Sequence, residues 1–161
     1  MIEIPITKGQ TAIIDDEDYG KISPFQWCCH GDGYAARGYH ENGKVVILKM
    51  HHAVFGKPPA GYVIDHINGN KLDNRKCNLR LVTQQQNCFN SKKRIAPVSG
   101  KKPSRFKGVG WRENRKKWRS RITFNGKRYY LGQYETEEEA ALAYNKAAKS
   151  FFGEYAKLNE I

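Results

Sequence analysis

The stretch Val63-Ile64-Asp65-His66-Ile67-Asn68-Gly69-Asn70 decides how the first half of this 161-residue chain folds. The apolar run Tyr62–Ile64 delivers Asp65 and His66 to its end, and the period of two in a strand sends neighbouring side chains to opposite sides. One of the pair can then hold a metal ion while the other works as a base. A polar loop follows, and its Asn68, Asn70 and Asn74 suit turns, because asparagine tolerates left-handed backbone and caps its own turn. Leu79–Thr83 returns as a second strand. Gln84–Asn90 then starts a helix that carries Asn87 on the side facing the strand end.

These residue types fit the hydrolysis of a phosphodiester. A divalent cation must neutralise charge on the scissile phosphate and the leaving oxygen, and hard oxygen ligands suit Mg²⁺ or Mn²⁺. Asp65 and Asn87 supply such oxygens. Water must lose a proton as it attacks, which an imidazole does best when a neighbouring carbonyl sets its tautomer and orientation. His66 is the candidate base and Asn78 a candidate orienter. Arg75 and Arg80 are candidate phosphate contacts, or equally solvated arginines. His51 reads as a structural hydrogen-bonding group or a phosphate contact, and His52 as ordinary surface.

Upstream, Ile2–Thr7, Thr11–Ile14 and Tyr39–Lys49 read as short strands, the last holding Asn42-Gly43, a type I′ hairpin signal. Downstream, residues 91–103 form a basic linker with Lys92, Lys93, Arg94, Lys101 and Lys102, interrupted by Pro97 and Gly100. Phe106–Arg112, Trp118–Phe124 and Arg128–Tyr134 then read as three antiparallel strands, with Asn125-Gly126 at the second turn. Thr136 opens a helix with Glu139 three residues on, a capping box, and Gly153 closes it. Ala140, Ala143, Tyr144, Ala147 and Phe151 are expected on its packed face. The fold class is α+β, with a nuclease-type unit over 1–90, the linker, and a sheet-and-helix unit over 104–161.

Charge points to the partner. The chain carries a formal net charge of +12, and Ser104–Glu135 alone holds ten bases against two acids. Such an excess favours a polyanion. Five acids (Glu3, Asp15, Asp16, Glu17 and Asp18) gather near the start instead. In the middle strand of the second unit Arg119 and Arg121 share one face, opposite Trp118, Ser120 and Ile122. No apolar run reaches the roughly 20 residues of a membrane span, and no basic-then-apolar signal stretch follows Met1. A cytosolic protein without a membrane partner is expected. The four cysteines form no C-x-x-C pair, so reduced thiols are the reading.

At Asp65-His66-Ile67-Asn68-Gly69-Asn70, Asn74-Arg75, Asn78-Leu79-Arg80 and Asn87 the sequence resembles the HNH nucleases with their ββα-metal fold, above all the phage homing endonucleases. The resemblance covers about Met50–Asn90. It implies that Asp65 and Asn87 hold one divalent ion, that His66 is the general base and that Asn78 orders the loop. Twelve residues separate His66 from Asn78, and twenty-two separate Asp65 from Asn87, as the pattern requires. Asn87 stands where many members carry histidine, which favours Mg²⁺ or Mn²⁺ over zinc or nickel.

Phe106-Lys107-Gly108-Val109, Trp118-Arg119, Tyr130-Leu131-Gly132-Gln133-Tyr134, Thr136–Tyr144 and Gly153–Asn159 resemble the AP2/ERF domain, which lays a three-stranded sheet in the major groove. By position the resemblance implies DNA contacts from Lys107, Arg112, Lys117, Arg128 and Tyr130, with Trp111 and Arg119 beside them. Gly110 and Thr123 replace arginines usual in plant members, so base preference does not transfer. The implied function is site-directed cleavage of duplex DNA by a homing-type enzyme. One active site per chain favours a monomeric nickase over a double-strand cleaver. The rival readings are a non-catalytic AP2-type regulator and an RNA-binding or structural phage protein, although the aromatic stacking platform of common RNA modules is missing.

Overall fold

A computed structural model describes residues 1–91 and 103–161, so most of the basic linker lies outside the described residues. The chain is α+β and divides into two compact units, Met1–Asn87 and Cys88–Ile161.

In the first unit β1 (Ile2–Ile6) and β2 (Gln10–Ile14) form a hairpin in which Ile4 faces Ala12 and Ile2 faces Ile14. Alternation sends Ile4, Ile6, Ala12 and Ile14 into the core. A single helical turn, α1 (Tyr19–Ile22), adds Ile22. The strands β3 (Cys28–Cys29), β4 (Ala35–Glu41) and β5 (Lys44–Lys49) form an antiparallel sheet. Asn42 and Gly43, at φ 50° and 73°, provide the two consecutive left-handed residues that the β4–β5 turn needs. Helix α2 (Met50–Phe55) follows at once and buries Met50, His51 and Val54.

The antiparallel pair β6 (Tyr62–His66) and β7 (Leu79–Thr83) sets Asp65 opposite Arg80 and His66 opposite Leu79. Ile64 and Leu79 tie this pair to the common core. The loop between the strands is strapped to β2, because Ile13 N donates to Leu72 O and Asn74 N to Ile13 O, both at 2.8 Å. Lys76 N donates to Asp15 Oδ2 at 2.7 Å, and the Lys76 ammonium pairs with Glu17 and Asp18. The acids near the start thus help hold the loop that follows His66. Helix α3 (Gln84–Asn90) comes directly after β7.

In the second unit β8 (Val109–Arg112), β9 (Lys117–Phe124) and β10 (Lys127–Tyr134) form a sheet with β9 central. Helix α4 (Glu137–Phe152) starts on the capping box of Thr136 and Glu139 and covers one face. Trp118, Ser120 and Ile122 of β9 are buried. The packed stripe of α4 is Ala140, Ala141, Tyr144, Ala148 and Phe152, whereas Ala143, Ala147 and Phe151 sit at its margin, a rotation from the sequence expectation. Gly108, at φ +78°, lies so close to the helix that a Cβ there would meet the Tyr144 ring at 2.1 Å. Cys88–Asn90 belong to this unit because the Phe89 ring stacks on Phe152 at 3.9 Å.

Candidate active site

His66 ends β6 inside the first unit and is only 4% exposed. Its Nε2 lies 3.4 Å from Asn74 Oδ1. The Asn74 amide is oriented by its own donors, since Nδ2 points to Leu72 O at 3.0 Å and to Met50 Sδ at 3.4 Å. The oxygen therefore faces the imidazole, assigning the ring proton to Nε2 and the lone pair of the neutral ring to Nδ1. Burial lowers the His66 pKa, reinforced by the Lys71 charge and opposed by Asn74, Asp65 and Asp73. A neutral imidazole at neutral pH is the protonation state a base requires.

His51 of α2 meets the His66 ring edge-on at 5.1 Å and the His52 ring at 4.5 Å. Burial, then the neighbouring His52, His66 and Lys49, push its pKa down to about 3. Its Nδ1 is buried with no hydrogen-bond partner among the described residues. His51 is thus a neutral packing partner of His66, away from the surface place where a phosphate contact would be expected. His52 is half-buried beside it rather than ordinary surface.

Asp65 forms an ion pair with Arg80, its cross-strand neighbour, at 3.0 Å. This pairing engages Arg80, a candidate phosphate contact, with the carboxylate next to the imidazole. Arg75 grips Asp73 with Nε and Nη2, each at 2.7 Å, and this contact is the main cause of the lowered Asp73 pKa. Arg75 is therefore committed to the loop rather than held out for phosphate. Asn78 also differs from the orienter expectation. Its Oδ1 accepts from Asn68 N at 3.0 Å and its Nδ2 donates to Asp73 O at 2.8 Å, so it ties the loop while Asn74 meets the imidazole. Asn68 Oδ1 and Asn70 Oδ1 accept from backbone N–H groups two residues on, as turn-formers do. The roles of Asn74 and Asp73 were not readable from the sequence, where Asn74 carries the same turn signal as Asn68 and Asn70.

Asn87 stands in α3 just beyond β7, half-buried, and its side chain makes no hydrogen bond among the described residues. One carboxylate and one carboxamide oxygen are hard donors, and Mg²⁺ or Mn²⁺ accepts few protein ligands when water completes the shell. Among the described residues no three His, Cys, Asp or Glu side chains gather as a zinc site needs. By donor chemistry alone, the oxygens of Asp65 and Asn87 suit a hard divalent ion.

In the second unit the face of the sheet away from α4 is basic. Register places Arg112 beside Lys117, Arg119 beside Gln133, Arg121 beside Tyr130 and Thr123 beside Arg128. Arg112, Arg121 and Arg128 have no ion pair among the described residues, and Tyr130 is 62% exposed. Burial lowers the Arg121 pKa, and the like charges of Arg128 and Arg112 lower it further. Arg119 has a buried Nε with no hydrogen-bond partner among the described residues, and Lys117 pairs with Glu135 at 2.8 Å.

Two candidates leave this face. Trp111 lies on the helix side, 5.2 Å from Trp118, and its Nε1 donates to Glu113 Oε2 at 2.5 Å. Lys107 points inward, where its Nζ donates to Phe89 O and Ser91 O at 2.8 Å and caps carbonyls at the end of α3. Arg121, named in the sequence reading only as a face-mate of Arg119, takes the central place instead.

A buried neutral imidazole beside oxygen donors, on a chain with a basic sheet face, defines a DNA nuclease with its own DNA-binding module. Residues 45–88 match the HNH endonuclease family and residues 104–154 the AP2 domain. The chain is 31% identical over 156 residues to an uncharacterized HNH endonuclease of Acanthamoeba polyphaga mimivirus, covering 96% of this chain and 77% of that one. It is 32% identical over 110 residues to Protein 3.8 of Escherichia phage T7, covering 68% and 86%. Among solved structures it is similar to the HNH homing endonuclease I-HmuI, with 30% identity, 55% and 46% coverage and a TM-score of 0.34. The chain belongs to the HNH endonuclease family. No helix among the described residues is long and apolar enough to cross a membrane.

Proposed function

We propose that this protein is a site-directed DNA endonuclease that hydrolyses one phosphodiester bond per active site, with His66 as general base and one Mg²⁺ or Mn²⁺ ion. The observation that carries the reading is the His66–Asn74 contact, which holds a buried neutral imidazole in one tautomer, one residue along β6 from Asp65. His66 Nδ1 takes a proton from water as the water oxygen bonds to phosphorus. The ester P–O bond breaks, and its oxygen leaves and takes a proton from solvent. Asp65 and Asn87 would hold the metal ion, whose positive charge would offset the charge that develops on the phosphate. Asn78, Asp73 and Arg75 keep the loop in the shape that places Asn74 against the imidazole.

Residues 104–161 serve as the DNA-binding domain, through Arg112, Lys117, Arg119, Arg121, Arg128 and Tyr130 on the open sheet face. A chain with one such site acts as a monomeric homing-type nickase, working in the cytosol of a phage-infected host. The test is conversion of supercoiled plasmid to the open circle by the purified chain. Nicking with Mg²⁺ or Mn²⁺ that stops with EDTA supports the reading, and duplex binding without any cleavage under either ion contradicts it.

A further inference from the structure

Beside the imidazole pair lies a tyrosine that the mechanism above leaves unused. Tyr34 immediately precedes β4, and its ring centroid is 5.0 Å from that of His51 and 5.7 Å from that of His66. Two ammonium groups flank the same ring, Lys49 Nζ at 4.2 Å and Lys71 Nζ at 4.6 Å from its centroid. Both are held in place by one residue. Lys49 pairs with Asp32 Oδ2 at 2.6 Å, and Lys71 donates to Asp32 O at 2.7 Å. A single carboxylate, which also meets His30 Nδ1 at 2.8 Å, does not offset two ammonium groups. Net positive charge is thereby built in next to a neutral imidazole, where a polyanion must come for His66 to act.

The Tyr34 hydroxyl makes no hydrogen bond among the described residues, although the residue is half-buried. Burial, then Asp32 and Asp65, raise its pKa above the ordinary tyrosine value. It is therefore a proton-bearing donor throughout the neutral range, close enough to Asp65 to feel its charge.

We propose that Tyr34 is a further catalytic residue, whose hydroxyl donates a hydrogen bond to a non-bridging oxygen of the phosphate attacked at His66, with Lys71 gripping the adjoining phosphate. This rests on the reading of His66 as the base. A donor preset toward charge that grows in the transition state is worth far more than one that must reorient. Tyr34→Phe removes the hydroxyl and keeps the ring between the lysines and histidines, so its packing role survives.

The test compares single-turnover nicking of supercoiled plasmid with Mn²⁺ by the wild-type full chain, Tyr34→Phe, Lys71→Met and His66→Ala, with duplex affinity measured in EDTA and thermal midpoints alongside. Tyr34→Phe should nick about a hundredfold more slowly, at unchanged thermal midpoint and affinity. Lys71→Met should bind more weakly, with a salt slope shallower by about one. Wild-type nicking rates for Tyr34→Phe, with His66→Ala inactive, would overturn the role of Tyr34 and leave His66 as base. Equal rates for wild type and His66→Ala would overturn both.

Discussion

Asn74 Oδ1 faces His66 Nε2 at 3.4 Å, from a side chain that is fully buried and anchored on the Leu72 carbonyl. The arrangement predicts how the pH–rate profile answers to one atom. Asn74→Asp places a carboxylate against the imidazole, which favours the imidazolium and raises its pKa. The acidic limb of kcat/KM should then move to higher pH, whereas Asn74→Ala should lower kcat about tenfold or more without that shift. Profiles measured with Mg²⁺ held constant check both, and an unmoved limb in Asn74→Asp would separate Asn74 from the base.

The Asp65–Arg80 pair sets a competition between arginine and metal for one carboxylate. Asp65→Ala removes an oxygen ligand and should raise the Mn²⁺ concentration for half-maximal activity, as should Asn87→Ala. Arg80→Leu should lower it, while costing about 3 kcal/mol of stability, because a buried charge loses its partner. Metal titrations of activity together with thermal melts distinguish the two effects.

His51 couples stability to pH. In the unfolded chain it titrates near its ordinary 6.5, and in the fold burial holds it down to about 3. Between these values the unfolded state binds the additional proton, so stability falls as pH drops through this window, by about 1.4 kcal/mol per pH unit at most. Denaturant melts from pH 7 to 4 should show this loss, and His51→Gln should flatten it. An equal slope in the variant would assign the acid sensitivity elsewhere.

Much of the fold is legible in the sequence because its signals are local. Asn42-Gly43 and Asn125-Gly126 turn hairpins where left-handed residues are required, and Thr136 with Glu139 starts α4. The rotation of α4 was not legible, since alanines at 140, 141, 143, 147 and 148 leave several stripes equally apolar and only packing against Trp118 and Ile122 chooses one. The same holds for single charged side chains. Lys107 and Arg121 read alike as bases of a strand region, yet one caps α3 carbonyls and the other lies on the open face. Asn74 reads as a turn-former and Asn78 as the orienter, and only the strap to β2 brings Asn74 to the imidazole.

The open face and the inward lysine make contrasting predictions. Arg121→Ala and Arg128→Ala should each weaken duplex binding and reduce the salt slope by about one, with little change in stability. Lys107→Ala should lower the thermal midpoint instead, because it uncaps Phe89 O and Ser91 O. Binding measured from 50 to 200 mM salt, with melts of the same proteins, separates the roles.

Phe89 makes the boundary of the DNA-binding domain testable. A fragment of residues 88–161 keeps the Phe89–Phe152 stack that a fragment of residues 104–161 loses. The longer fragment should be the more stable by about 2–3 kcal/mol, below the range for truncating a fully buried phenylalanine. Equal denaturation midpoints would show that the stack adds nothing.

The most direct measurement of the central claim is cleavage and binding by His66→Ala beside the wild-type chain, on the same supercoiled plasmid with saturating Mg²⁺. Because the base acts in the transition state and most phosphate contacts lie on the basic sheet, the variant should lose at least a hundredfold in nicking rate while binding duplex within about twofold of wild type. Cleavage at the wild-type rate by pure His66→Ala protein would remove His66 from the mechanism and with it the site assigned here.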